Sequence, residues 1–398
     1  MQINGNELSF ILDTGVNKTI LFNLTENDSI GLNNVKKVSL IGLGGGEPIE
    51  ALLSKGNRFK IKNISSTNQD LYVILKDAFN LSAKMGATIH GIVGYDLLKD
   101  VIIKINYRSK RIVFYNPQKY KAIKCRKCEV LPLQFYRNKP YINVKARIDT
   151  VNNVLIPVKL LIDTGGTDAM WLFEDTKESI KTPIKHFKDI LGEGISGTIY
   201  GNRSKIPSIS IGKFIVKEPT VSFLDSSSTF HARKFKERNG SIGGNILKRF
   251  KVWIDYPNKQ ITLKKNTSLK DGFYYNMSGL HLIYDGQELV KEKKATKKIS
   301  AMSGNNTSKN NTISFVNTYY FKFKPKYKVD NIVFDSSADK VGILKGDYIK
   351  SINGKPAYEY ELSEIIEMFQ TKPNKKIRIK VKRGVRDLKF EFRLEERI

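Results

Sequence analysis

Phe10-Ile11-Leu12-Asp13-Thr14-Gly15 returns 150 residues later as Leu161-Ile162-Asp163-Thr164-Gly165. In both places an apolar run ends in Asp and turns through Thr and Gly. A second segment repeats in the same order. Gly91-Ile92-Val93-Gly94-Tyr95-Asp96-Leu97-Leu98-Lys99 is echoed by Gly240-Ser241-Ile242-Gly243-Gly244-Asn245-Ile246-Leu247-Lys248, and Gly94 matches Gly243 at an offset of 149. Each copy then runs into a pair of alternating strands, Val101 to Tyr115 and Phe250 to Lys265. Two separate motifs that keep their order and spacing mark a duplication, so the first 265 residues read as a twice-repeated β-rich unit.

The chemistry of the repeat follows from burial. A strand apolar on both faces is a buried strand, and ending it in Asp puts a carboxylate at the edge of a core, where it is costly unless partnered. The Gly that follows lets the backbone turn sharply and approach what the carboxylate faces. If the two copies meet about a pseudo-two-fold axis, Asp13 and Asp163 face each other. Two carboxylates in contact do not both ionise easily, so they share a proton. One then serves as general base towards a water, and the other donates a hydrogen bond to a substrate carbonyl.

Composition narrows the alternatives. The 398 residues are 40% hydrophobic, enough to bury a core in two to four domains. No apolar run approaches the ~18 residues of a membrane-spanning helix, and residues 1–15 lack the pattern of a signal peptide. The net charge of +29 invites a nucleic-acid reading. The excess is dispersed along the chain, however, without the concentrated footprint that phosphate backbones require, so no nucleic-acid partner is expected. Two cysteines exclude a disulfide-built scaffold, and four histidines leave little for metal sites or histidine triads, so neither metal nor cofactor is expected. Cys125 and Cys128 lie in a basic stretch, 116–131, read as a linker. Without a second Cys pair or a nearby His they are two incidental thiols or one small disulfide.

The doubled Asp-Thr-Gly with its apolar-apolar-Gly partners resembles the aspartic peptidases, both pepsin-like and retroviral-type. Gly243 to Lys248 through Val252-Trp253-Ile254-Asp255-Tyr256 looks like the end of a pepsin lobe, while the repeat length and Gly-rich segments look more like retropepsin units fused in one chain. The likeness covers about residues 1–265. It implies that Asp13 and Asp163 are the catalytic pair, and that Thr14, Gly15, Thr164 and Gly165 support the two active-site loops. It also makes Gly44, Gly45 and Gly46 in one copy, and Gly194 and Gly197 in the other, either substrate-covering flaps or ordinary Gly-rich hairpins. A phosphate loop at Gly42 is excluded, because Glu47 stands where the last Gly of G-x-G-x-x-G belongs. Two departures stand out. The residue after Asp-Thr-Gly, commonly Ser, Thr or Ala, is Val16 or Gly166, which removes a hydroxyl near each carboxylate. Only 12 residues precede Asp13, so the opening strand of copy one is expected to be missing. That suggests a start inside the natural reading frame, with the cell envelope or periplasm favoured if an upstream signal is lost and the cytoplasm otherwise.

Beyond residue 265, segment 285–312 is rich in Lys and Asn and poor in apolar residues, and is read as a mobile insertion. Leu362, Ile365, Ile366 and Phe369 then recur at helical spacing. Ile377, Ile379 and Val381, and Leu388, Phe390, Phe392 and Leu394, alternate as half-buried strands. Ser336-Ser337-Ala338-Asp339-Lys340-Val341-Gly342-Ile343-Leu344-Lys345-Gly346-Asp347-Tyr348-Ile349, through Ile352-Asn353-Gly354, resembles a bacterial PDZ domain spanning roughly 272–396. The resemblance implies that Ser278-Gly279-Leu280-His281-Leu282 forms a carboxylate-binding loop and edge strand, with the 361–370 helix as the other wall of a groove for peptide ends. The expectation is a mainly β chain. Two retropepsin-like β-barrel lobes, 1–115 and 132–265, form an intramolecular pseudo-dimer in a monomer that cleaves polypeptides. A small α+β PDZ domain occupies 266–398. The competing class is a peptide-binding scaffold that kept both Asp and lost turnover.

Overall fold

The computed structural model describes all residues except 25–29, 41–47, 76–79, 123–124, 149–153, 195–196 and 302–310; at 193–194, 197, 294–301 and 311–317 it describes the backbone alone. The chain is mainly β. Strands β1 (Gln2–Ile3), β2 (Asn6–Glu7), β3 (Phe10–Leu12), β4 (Ile20–Leu21), β5 (Lys36–Leu40), β6 (Ile49–Ile61), β7 (Ile64–Val73) and β8 (Gly91–Val93) form one sheet. Its order is β2-β1-β6-β7-β4-β8-β3, with β5 on β6. Helices α1 (Leu81–Met85) and α2 (Tyr95–Leu98) flank β8. After β9 (Ile102–Asn106), β10 (Arg111–Tyr115) and β11 (Cys128–Pro132), a second large sheet is built. It comprises β12 (Gln134–Tyr136), β13 (Lys139–Arg147), β14 (Leu155–Ile162), β15 (Met170–Phe173), β16 (Phe187–Gly194), β17 (Gly197–Lys205), β18 (Ser208–Ile211), β19 (Phe214–Lys217), β20 (Thr220–Leu224) and β21 (Arg238–Ile242). Helix α3 (Ser226–Thr229) precedes β21 and α4 (Gly244–Leu247) follows it.

The duplication is visible in the pairing. In copy one β3 runs parallel to β8, and β8 antiparallel to β4; in copy two β14 runs parallel to β21, and β21 antiparallel to β15. The squeeze between neighbouring chains explains the repeated glycines. A Cβ on Gly91 would stand 2.3 Å from Ile20 O, and one on Gly240 would stand 1.9 Å from Trp171 O. The opening strand expected to be missing from copy one is present as the two-residue β1, with Ile3 opposite Phe59 of β6; its counterpart β13 has nine residues.

Strands β22 (Phe250–Asp255) and β23 (Gln260–Lys265) complete a five-stranded sheet ordered β10-β9-β22-β23-β11. Its centre joins equivalent strands of the two copies, Ile103 opposite Ile254 and Ile105 opposite Val252. All four side chains are buried in one core that runs from Val93 to Phe273, so the copies share apolar packing as well as backbone bonds. The stretch 116–131, read as linker, supplies the outer strand: Cys128 to Pro132 pairs with β23, just after the Cys125–Cys128 disulfide.

The C-terminal sheet contains β24 (Leu280–Ala301), β25 (Asn311–Ile332), β26 (Tyr348–Ile352), β27 (Lys355–Pro356), β28 (Lys376–Arg383) and β29 (Arg386–Arg393). Helix α5 (Ser337–Lys340) and helix α6 (Leu362–Phe369) accompany it. The apolar stripe forms α6 as expected, with Leu362, Ile365 and Phe369 buried and a Glu361–Glu364 capping box at its start. The insertion expected at 285–312 is strand over its described residues. Residues 285–301 and 311–312 lie in the two long strands, paired from Leu280↔Ile332 to Ala301↔Asn311 with register shifts after His281 and after Tyr284. The ribbon extends without a core of its own over 285–293, where no residue is buried, because its cross-strand backbone bonds continue a ladder that begins in the folded sheet. Glu292 bridges it by accepting from Tyr320 Oη at 2.7 Å and pairing with Lys324 at 2.8 Å.

Candidate active site

Both aspartates sit where the parallel strands end. Asp13 N donates to Val93 O at 3.0 Å and Asp163 N to Ile242 O at 2.9 Å, the same bond in each copy. Beyond them the two turns interlock. Thr14 N donates to Thr164 Oγ1 at 3.1 Å, and Thr164 N donates to Thr14 Oγ1 at 3.2 Å. Each hydroxyl in turn donates across to the other strand, Thr14 Oγ1 to Ile162 O at 2.5 Å and Thr164 Oγ1 to Leu12 O at 2.8 Å. Four reciprocal bonds fix the turns face to face, and Thr14 is fully buried.

The carboxyls meet in this frame. Asp13 Oδ1 accepts from Gly15 N–H at 2.7 Å, Asp163 Oδ1 accepts from Gly166 N–H at 2.8 Å, and the two side chains hydrogen-bond each other. Burial, and then the charge of Asp163, push the Asp13 carboxyl up to about 8, against the opposing pull of Gly15 N–H and Lys139. The glycines have a steric reason: a Cβ on Gly165 would stand 2.5 Å from Asp13 Cγ. Gly165→Ala is accordingly expected to displace Asp13 and cut peptide turnover about 100-fold while changing the melting temperature little, as kinetics and calorimetry on the same preparation will show.

The pair opens on a cleft of about 1520 Å³, room for several residues of extended peptide. Hairpin β16–β17 overhangs it with Gly194 opposite Gly197, and Leu191 and Ile199 pack with Phe173 and Leu224. In copy one β5 and β6 form the matching hairpin, Leu40 opposite Ile49; Gly44, Gly45 and Gly46 lie outside the described residues.

The sequence reading missed the charged groups around the pair. Lys139 and Arg238 line the same cleft, as does Tyr107, whose buried hydroxyl has no hydrogen-bond partner among the described residues. A second group ties the loop after Asp163 to the hairpin. Asp168 accepts from Arg203 Nη1 at 2.9 Å, Trp171 Nε1 at 2.7 Å and Ser222 Oγ at 3.0 Å, while Arg203 Nε donates to Asp189 Oδ2 at 2.6 Å. Burial would raise the Asp189 carboxyl, but the neighbouring His281 and the pull of Arg203 hold it below its ordinary range. One signal was available: an acid at residue 168, heading the apolar run Ala169 to Phe173, demands a partner.

His281 Nε2 lies 3.7 Å from Asp189 Oδ1, so the strand proposed as a peptide-binding edge touches the base of the overhanging hairpin. Phe187 of β16 also packs on Tyr275, with ring centroids 5.1 Å apart, inside the C-terminal core. Leu280 and Leu282 are buried in that core. The loop before them is already occupied: Ser278 N and Gly279 N both donate to Asn276 Oδ1 at 3.2 Å, and Leu280 N donates to Ser278 Oγ at 3.1 Å. Helix α1 of copy one packs beside β24, and Gly86 at its end abuts Leu362 of α6.

A family model described as aspartyl protease matches residues 1–97 and 144–246, together half of the chain. One described as PDZ domain matches residues 328–383. Among solved structures, the chain is similar to the aspartic proteinase from Irpex lacteus at 13% identity, covering 66% of this chain and 92% of that one with a TM-score of 0.40. No curated protein matches it in sequence.

Proposed function

We propose, from the premise that the chain belongs to the aspartyl protease family and carries a PDZ domain, that it is an endopeptidase whose catalytic pair is Asp13 and Asp163. The observation that carries this reading is the hydrogen-bonded pair of carboxyls at the floor of a peptide-sized cleft, clamped by the reciprocal Thr14–Thr164 bonds. With Asp13 holding the shared proton, Asp163 takes a proton from a water as its oxygen attacks the scissile carbonyl, and Asp13 donates to the carbonyl oxygen. Collapse of the tetrahedral adduct passes a proton to the departing amine. The two copies, joined through β9 and β22, supply one aspartate each, so a single chain suffices.

The C-terminal module is proposed to bind peptide segments next to the cleft. Support for capture of a free carboxylate at Ser278 to Leu282 is weaker. Asn276 and the Ser278 hydroxyl already engage the loop amides, α1 flanks the edge strand, and the PDZ match begins beyond it. The His281–Asp189 and Phe187–Tyr275 contacts favour a second role for the module, bracing hairpin β16–β17 against the peptidase body.

The test is the rate of hydrolysis of internally quenched peptides by the full chain between pH 4 and 10. Because Asp13 must keep its proton, kcat/KM is expected to fall as pH rises through about 8. A rate that climbs steadily across that range would count against the assignment.

A further inference from the structure

Arg238 and Lys139 stand beside the aspartate pair without an anion of their own. Arg238 is 4% exposed. Its Nε donates to Gly240 O at 3.1 Å, its only other hydrogen-bonding partner among the described residues is the Tyr141 hydroxyl, and its guanidinium lies 4.9 Å from the Phe173 ring centroid. Lys139 opens β13 and is half-buried. Neither makes an ion pair among the described residues. Burial and then Arg238 weaken the hold of Lys139 on its proton, against the pull of Asp13 and Asp163, and Arg238 also feels the charge of Asp163. Buried arginines elsewhere in the chain are provided for. Arg203 has two carboxylates, and Arg249 donates to the backbone carbonyls of Asn245, Ser268, Asp271 and Gly272.

With one proton shared between Asp13 and Asp163, the pair carries a single negative charge. The two neighbouring cations therefore leave the floor of the cleft with a surplus positive charge, in a place where an uncompensated charge is costly. We propose that Arg238 and Lys139 form an anionic subsite that takes an acidic side chain, Asp or Glu, of the substrate close to the scissile bond. The group completes what the protein leaves open: a carboxylate accepts from the guanidinium and the ammonium together and brings the site to neutrality. The inference rests on the peptidase reading of the same cleft and names the substrate class it selects.

The test is equilibrium binding to the full-length chain of uncleavable hydroxyethylene-isostere peptides. These carry Glu or Gln at each of the two positions on either side of the isostere, and binding is read by fluorescence anisotropy at physiological salt. At one position Glu is expected to bind about 10- to 100-fold more tightly than Gln. Lys139→Met and Arg238→Gln should each bring that ratio towards one and leave the Gln peptide within a few-fold, with Arg238→Lys keeping part of the preference. Should Arg238→Gln fail to fold by circular dichroism, Lys139→Met, at a half-buried site, carries the test. Equal binding of Glu and Gln at every position would overturn the subsite while leaving the cleft intact. So would a preference spread evenly over all positions, which is long-range attraction to a basic chain. A loss equal for both peptides in the variants would also overturn it, since the cations would then act on the pair alone. Failure of every peptide to bind would overturn the peptidase reading along with it.

Discussion

Asp13→Asn is expected to cut peptide turnover about 1000-fold or more and, at neutral pH, to make the protein more stable. The rate falls because Asn neither shares nor transfers the proton that the water attack requires. The stability gain has a separate origin. In the unfolded chain an Asp ionises near 3.9, whereas in the folded protein burial and the neighbouring Asp163 hold the Asp13 proton up to about 8. Between those values the native state binds more protons than the unfolded state, so the contribution of Asp13 to stability falls as pH rises through the window. The asparagine of the variant does not titrate. Its advantage should be near nil at pH 3, grow from about pH 4 and level off near 8. It reaches a few kcal/mol at most, since a tenfold change in proton affinity is worth ~1.4 kcal/mol. The amide oxygen still accepts from Gly15 N–H, so the turn is kept. Urea denaturation of both proteins across that range measures the difference; equal stability at pH 7.5 would mean that the Asp13 proton is not held.

Arg203→Met carries the second large effect. Arg203 is 7% exposed and reaches Asp168 with one edge and Asp189 with the other. Removing it strands two carboxylates that keep only neutral partners and His281, at a cost of about 3–5 kcal/mol. Asp189 is held below the ordinary carboxylate range, so its contribution is present at neutral pH and is lost as pH falls. The difference between wild type and Arg203→Met should therefore shrink as pH falls, because the stranded Asp189 takes up a proton more readily once Arg203 is gone. Activity should fall as well, because the loop after Asp163 and hairpin β16–β17 lose their common tie. An Arg203→Met variant as stable as wild type at pH 7 would show that the three-membered cluster does not hold the hairpin.

How much could be read from the chain depended on how local the constraint was. Asp13 and Gly15, and their counterparts in copy two, are legible because each does its work within three residues of its neighbours: a turn, a carboxylate and a backbone donor. Thr14 and Thr164, which bond each other across 150 residues, are legible only because the motif repeats. Gly91 and Gly240 are legible because close chain approach admits nothing else. Residues 285–301 were not. Their composition argues against a core, yet they form strands on backbone bonds that composition does not express. Arg203, Asp168 and Asp189 come from three elements, and Lys139 and Arg238 from two strands almost 100 residues apart; single charges scattered along a basic chain carry no spacing to recognise. The 278–282 segment was legible as an edge strand, whereas its occupation by Asn276 depends on a side-chain rotamer that sequence does not fix.

Peptide hydrolysis in oxygen-18 water tests the central claim most directly. A defined peptide mixture is incubated with the full chain and, in parallel, with Asp163→Asn, and the products are read by mass spectrometry. The Asp13–Asp163 pair predicts new C-terminal carboxylates carrying one heavy oxygen in the wild-type digest and their absence from the variant's. Undiminished cleavage by Asp163→Asn, or an intact mixture after wild-type treatment, would contradict it.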